Sequence, residues 1–443
     1  MRADIRMAWT LTRGSGRGEG WRIALTALGA LAATGFALTA VAVAAVRGQV
    51  SIPFAHGLLN QPGERAGVVL TLVLLLVPVL GFLGQCARIG AVHRHHRMAA
   101  MRLTGATPAQ VRRIAAVEAA FPSLPGSVAG CAVFAVLLAA AGHTPPPLVW
   151  AGFAVVVLAV PVAAALVGVL ALRRVVASPL DEVRRVGPER GPRAAFGFLT
   201  AGALISAVGM LLTGPTSLRA AAFPVLVVAL VFLTGTGVIW AAGASAGYLG
   251  RRLTRRARQP AVLIAAGRLA HDPWAAARTH AALLLVTVVA VAFVGVRGVM
   301  LEILHASGTL PEDLAFYTTG IDLAGTAVLV ALAISLCGLA VGTAESLATR
   351  RRGLAAQAAA GVPRTVLVRA AILETALPLA PALLLAGIGG TAVCVAYARI
   401  AGTGVPLTPL LVPPAVYAAC LLAAATSLPL LRRAAHPSEL RFT

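Results

Sequence analysis

Arg113-Ile-Ala-Ala-Val-Glu118-Ala-Ala-Phe-Pro122-Ser-Leu-Pro125 returns later in the chain as Arg369-Ala-Ala-Ile-Leu-Glu374-Thr-Ala-Leu-Pro378-Leu-Ala-Pro381. Arg, Glu and both prolines keep their spacing at an offset of 256 residues. Each copy follows an arginine-rich patch and opens a long apolar run, so the same charged connector enters the same kind of helix twice. The chain therefore reads as two related halves. Within each copy the Glu and the two prolines stand at i, i+4 and i+7, one face of a helix. The Arg, five positions earlier, points roughly 140° away at about 100° per residue. A salt bridge within that helix is not expected. The Arg reaches toward headgroups, and the Glu needs a partner on another helix or another protein.

Hydrophobic residues make up 59% of the 443 positions and charged residues only 12%, which places the chain in the membrane class. All 37 basic residues are Arg. Without any Lys the chain cannot form a P-loop, whose lysine reaches the nucleotide phosphates. If ATP drives this protein, another subunit binds it. The net charge of +22 does not point to nucleic acid, because the arginines lie in short clusters between apolar runs, as membrane orientation requires. Cys86, Cys131, Cys337, Cys394 and Cys420 fall in or beside apolar runs without metal spacing and read as small packing residues. His93, His95 and His96 beside Arg94 and Arg97 read as a basic face near anionic lipid rather than a metal site.

Ten apolar runs approach the length of about 20 residues that a span needs: 23–46, 67–87, 118–141, 148–171, 195–212, 222–246, 280–298, 323–343, 374–398 and 408–431. The first exceeds the core of a signal peptide, about 7–15 residues, and is expected to remain as a span. Thirty-two arginines fall on the side of the termini and the connectors after even-numbered spans, against five on the other: Arg47, Arg65, Arg219, Arg297 and Arg399. That bias predicts both termini in the cytoplasm.

The repeat extends to the ends of spans four and ten. Leu172-Arg173-Arg174 is followed by Pro179, Glu182 and Arg184, and Leu431-Arg432-Arg433 by Pro437, Glu439 and Arg441. Spans one to four then match seven to ten, with five and six an added hairpin. The predicted layout is a cytoplasmic segment 1–22, a first four-helix unit with its connector 23–193, a linking hairpin 194–250, and a second unit with connector and cytoplasmic C-terminus 251–443.

The connector after span two reads as two short helices with a break, where Gly105 suits a C-cap, Thr107 an N-cap and Pro108 the first helical position. Gly361 and Pro363 repeat the break, with Val362 a poor cap. Such a connector is either a docking surface or an ordinary basic loop; the duplication favours docking. The outer loops, including the acidic one with Glu302, Glu312, Asp313 and Asp322, are too short for domains. Gly243 and Gly247 form a G-x-x-x-G that carries little weight in so Gly-rich a chain.

No carboxylate or Arg falls near the middle of any assigned span, which argues against an ion-coupled carrier. No G-x-S-x-G, H-E-x-x-H or carboxylate pair indicates catalysis. The chain is expected to be neither an enzyme nor a metal or cofactor binder.

At the connectors the sequence resembles the FtsX-like (MacB/BceB-type) permease family of ABC transporters. The first copy reads Arg97-Met-Ala-Ala-Met-Arg102-Leu-Thr-Gly105-Ala-Thr-Pro108, then Arg113 and Glu118-Ala119. The second reads Arg352-Gly-Leu-Ala-Ala-Gln-Ala-Ala-Ala-Gly361-Val-Pro363, then Arg369 and Glu374-Thr375. Two departures stand out: Met98 and Gly353 replace an acidic residue the family often has, and the large extracellular domain of the ten-span antibiotic-peptide resistance members is missing.

The resemblance implies an all-α membrane protein of about ten spans, a multi-pass permease of a bacterial plasma membrane. Two copies of a separate ABC ATPase would bind ATP and Mg. Arg97, Arg102, Gly105, Pro108, Arg352, Gly361 and Pro363 would dock that ATPase, while Arg113, Glu118, Arg369 and Glu374 would anchor the bases of the moving helices. Pro122, Pro125, Pro378 and Pro381 are hinges or tolerated bends. The expected function is export or extraction of a hydrophobic or amphipathic compound, such as a peptide, lipid or drug, by mechanical transmission. The alternative is a non-transporting relay to an extracytoplasmic cell-wall enzyme or sensor. Besides the ATPase, membrane lipid is an expected partner, and nucleic acid is not.

Overall fold

Long apolar runs with no competing partner for their backbone groups close those bonds within the segment, so in a bilayer they must be helical. The structure, a computed structural model, describes residues 17–52, 54–87, 100–101, 103–140, 142, 147–177, 217–306 and 311–434. The helices are α1 (Arg17–Ala45), α2 (Pro62–Cys86), α3 (Pro108–Ala120), α4 (Ser123–Ala140), α5 (Pro147–Ala177), α6 (Ser217–Arg256), α7 (Pro260–His271), α8 (Pro273–Ala306), α9 (Pro311–Thr349), α10 (Arg351–Ala359), α11 (Arg364–Ala401), α12 (Val412–Ala425) and α13 (Leu428–Ala434). The described residues contain no strand. Eight segments among them are long and apolar enough to cross a membrane, and they coincide with predicted spans one to four and seven to ten. Predicted span five lies outside the described residues, and span six is the core of α6. The protein is an all-α, multi-pass membrane protein.

Contacts divide the chain into two compact units, Met1–Gly187 with Ala315–Glu345, and Pro188–Leu314 with Ser346–Thr443. In the first, α1 is the central helix and packs on α2, α4 and α5. The close approach of α1 and α4 depends on Gly126, where a Cβ would lie 1.9 Å from the Ala27 carbonyl oxygen. Between them Thr34 donates to Ser127 Oγ (3.0 Å), and Ser127 donates to the Val157 carbonyl of α5 (3.0 Å), so one buried hydroxyl node joins three helices. The outer faces of α4 and α5 expose Val133, Val136, Leu137, Val155 and Leu158, surface that an acyl-chain solvent suits and water does not.

Residues 315–345 of α9, predicted span eight, group with this first unit rather than with the later half of the repeat. Gly338 lies against Phe82 and Gln85 of α2, Ile334 packs on the Ala30, Val79 and Leu83 cluster, and Thr319 hydrogen-bonds His56 at 3.2 Å. Small residues on α9 make this approach possible. The loop before α2 is held by buried Arg65, whose guanidinium donates to the carbonyls of Gly48, Leu59 and Asn60.

In the second unit α11 packs on α6, α7, α8 and α12. The short helix α7 turns one apolar stripe, Ala261, Ala265 and Leu269, inward at i, i+4 and i+8. Gly243 and Gly247 of α6 face Trp274 and Pro273 at the start of α8, and Trp240 meets Trp274 edge to face with centroids 5.2 Å apart. The five cysteines are free; Cys86, Cys394 and Cys420 are buried, whereas Cys337 is exposed, so the packing reading fails for Cys337.

The prolines act differently in the two copies. In the first, the helix is interrupted at Phe121–Pro122, and Ser123 Oγ donates to the Ala120 carbonyl (2.7 Å) at the break. In the second, α11 runs unbroken through Pro378 and Pro381. The span predicted to start at 374 belongs to one helix with the stretch beginning at Arg364.

Candidate functional site

Both connectors close on the same turn. Gly105 has φ +99° and Ala106 N donates to the Met101 carbonyl (2.9 Å); Gly361 has φ +89° and Val362 N donates to the Gln357 carbonyl (3.1 Å). This is the bond pattern of a helix ended by a left-handed residue, which glycine adopts without Cβ strain. After the first turn, Thr107 and Gln110 form a reciprocal capping box (2.8 and 3.2 Å) with Pro108 in the first helical position. After the second, Pro363 itself is the N-cap of α11 and no side chain caps it, since Val362 and Pro363 have no acceptor to offer.

The second connector is wired into the bundle by charge. Arg350, at the junction of α9 and α10, donates from Nη1 to Glu374 Oε1 (3.0 Å) and from Nη2 to Glu374 Oε2 (2.8 Å). Its Nε donates to the Ser346 carbonyl at 3.0 Å. Arg268 of α7 approaches Glu374 Oε2 from another side at 3.3 Å and donates from Nη2 to Ser346 Oγ (2.8 Å). The Glu374 side chain is 13% exposed. Three segments, α7, the α9–α10 junction and α11, thus meet at one carboxylate, and Ser346 at the end of α9 accepts from both arginines. A planar guanidinium matches a carboxylate with two parallel bonds, a pairing suited to a sparsely hydrated position.

Glu374 finds its partners outside its own helix, while Arg369 and Arg113, at the matching positions, are exposed. Glu118 is 3% exposed, and Arg22, one of the thirty-two arginines counted on the side of the termini, is buried at 2%. Arg352, Gly361 and Pro363 are exposed, as are Arg351 and Ala356, whereas Leu354 and Ala355 are buried. The connector α10 therefore shows a basic outer edge and an inner apolar footing, where Leu354 joins Leu347, Leu367 and Leu431. Pro122 and Pro378 are buried, Pro125 exposed and Pro381 partly buried. Arg97 and Arg102 lie outside the described residues, as do the histidines at 93, 95 and 96.

Sequence reading missed Arg268 and Arg350. Arg350 had a signal, because it stands 256 residues after Arg94, the same offset that relates Glu374 to Glu118. Among the described residues no three His, Cys, Asp or Glu side chains gather as a metal set.

Residues 67–180, from α2 through the first connector into α5, match the family model described as FtsX-like permease C-terminal. That stretch is similar to the FtsX-like permease domain. It contains Gly105, Pro108, Glu118 and both first-copy prolines. Neither the curated proteins nor the solved structures compared with the chain give a match. FtsX-like permeases are transport subunits and typically partner with ABC ATPases.

Proposed function

We propose that the chain is the membrane subunit of an ABC transporter that takes its energy from a separate ATPase. The observation carrying this reading is the second connector, which ends on the same glycine turn as the one inside the FtsX-like domain and is tied to the base of α11 through Arg350 and Glu374. A push on α10 would pass into α11 through a bidentate charge pair and the leucine footing rather than through a loose loop.

In this reading both connectors and both termini face the cytoplasm, in keeping with the arginine bias. Two ATPase copies bind ATP and Mg and dock on Arg97 to Pro108 and Arg352 to Pro363. Glu118 and Glu374 anchor the helix bases, with Arg113 and Arg369 at the headgroups. Pro122, Pro125, Pro378 and Pro381 offer bending points. The cargo is a hydrophobic or amphipathic compound that is exported or extracted.

The test is copurification with the ATPase and its stimulation in vesicles. A Gly105→Pro, Gly361→Pro double variant forces φ near −65° where positive values are needed, and stimulation should be lost while the chain still inserts. Unchanged stimulation defeats the reading. An extracytoplasmic protein crosslinked from the loop near Glu312, with no flux, would instead favour the relay.

A further inference from the structure

Between α7, α10 and the base of α11 lies a cavity of about 500 Å³. That size is within the range of about 300–1,000 Å³ occupied by small-molecule sites, which combine apolar walls with a few placed polar groups. Its walls divide by chemistry. Ile264, Leu347, Leu354 and Leu367 supply branched apolar surface, and Arg268, Arg350, Glu374 and Gln357 supply polarity.

Two guanidiniums face one carboxylate here, which leaves the cavity a positive balance. Arg350 is committed, with Nη1 and Nη2 on Glu374 and Nε on the Ser346 carbonyl. Arg268 is not. Its Nη1 is buried without a hydrogen-bond acceptor, being only in ionic range of Glu374 at 3.3 Å, while Nη2 is taken by Ser346. The Oε1 atom of Gln357 is likewise buried without a hydrogen-bond donor. A buried donor without an acceptor is costly, and an anionic oxygen is its strongest remedy.

The cavity thus calls for a molecule with an anionic acceptor, a hydroxyl donor and an apolar body. Glu374 opens the apolar run 374–398, so on that span boundary the cavity would lie near the headgroup level, where such molecules are concentrated.

We propose that this cavity binds the headgroup of an anionic glycerophospholipid. Arg268 takes a phosphate oxygen, Gln357 accepts from a headgroup hydroxyl, and the leucine wall receives the first methylenes of the acyl chains. A zwitterionic choline headgroup is excluded by its cation, which would stand beside the arginines and has no hydroxyl for Gln357. The site does not depend on the ATPase.

The experiment titrates the purified full-length chain in detergent with short-chain phosphatidylglycerol, short-chain phosphatidylcholine or inorganic phosphate, reading Tm. Phosphatidylglycerol should raise Tm by several degrees and saturate, with no shift from the other two. Gly267→Leu and Gly353→Leu serve as filling variants: both glycines line the cavity, and a Cβ at either meets nothing within 4 Å. They should keep the lipid-free Tm and lose the phosphatidylglycerol shift, and Arg268→Gln should weaken the apparent affinity by about tenfold or more. An equal shift from phosphatidylcholine would mean general lipid solvation, and an equal shift from phosphate a soluble-anion site. Either result overturns the proposal, as does an undiminished phosphatidylglycerol response in both filling variants.

Discussion

Arg350 holds Glu374 by its two terminal guanidinium nitrogens, Nη1 and Nη2, at 3.0 and 2.8 Å, across 24 residues of chain. The pair ties the junction of α9 and α10 to the base of α11. Removing Glu374 leaves Arg350 and Arg268 facing each other without their shared carboxylate, and removing Arg350 leaves Glu374 with Arg268 alone at 3.3 Å. Breaking one side of such a partly buried pair costs more than the pair contributes relative to an apolar replacement.

The first prediction is energetic coupling at this pair. Arg350→Met and Glu374→Gln should each lower Tm in detergent, and the double variant should be less damaged than the two losses added together. A double-mutant cycle is expected to give a coupling of about 0.5–3 kcal/mol. Strict additivity would mean that the contact transmits nothing. In vesicles with the ATPase, Arg350→Met should also reduce stimulation more than the exposed Arg351→Met does.

The two connector turns give a second prediction. At φ +99° and +89°, Gly105→Ala and Gly361→Ala each place a Cβ in the left-handed region at a cost of about 1–2 kcal/mol. Neither glycine has a neighbour that a Cβ would strike, so the cost is conformational and local. Limited proteolysis should show faster cleavage at the altered connector, and Gly361→Asn should be milder than Gly361→Ala, because Asn tolerates this conformation. Equal protection of all variants would show that the turns are not required.

The turns and the paired glutamates were legible in the sequence because glycine, proline and glutamate have narrow requirements that survive duplication. The arginines were not. Arg268 and Arg350 sit in basic connectors where every guanidinium on a flexible stem looks alike, and only the helix α7, turning Arg268 toward α11, selects it. The need of Glu374 for an outside partner was readable; the identity of that partner was a matter of tertiary packing. Similarly, the eight spans followed from length and apolarity, whereas the grouping of residues 315–345 with the first unit depends on which small residues of a largely apolar helix meet Phe82 and Gln85. Identical proline spacing gave a break at Pro122 and a continuous helix at Pro378, so proline spacing alone does not decide.

A third prediction tests the approach of α1 and α4. Gly126→Ala would bring a methyl to 1.9 Å from the Ala27 carbonyl oxygen, a contact that only helix separation relieves. The expected loss is about 1–3 kcal/mol, as for overpacked interiors. On the same helix pair, Gly35→Ala meets nothing within 4 Å and should be neutral or stabilising, by up to about 1 kcal/mol from helix propensity. Equal melting of the two variants would show that the close approach is wrong.

The hydroxyl node of the first unit supplies the last prediction. Ser127 accepts from Thr34 and donates to the Val157 carbonyl, both at 3.0 Å, and is fully buried. In an apolar surround no water replaces these bonds, yet the unfolded chain in a membrane also finds partners, so interhelical bonds of this kind average about 0.6 kcal/mol with a maximum of about 1.7. Ser127→Ala should therefore cost within that range and leave Thr34 able to turn to a backbone carbonyl of its own helix. Thr34→Val should cost less, because Ser127 keeps its bond to Val157. The order of the two losses is the discriminating measurement: a larger loss for Thr34→Val would place the node's stabilising bond between α1 and α4 rather than between α4 and α5.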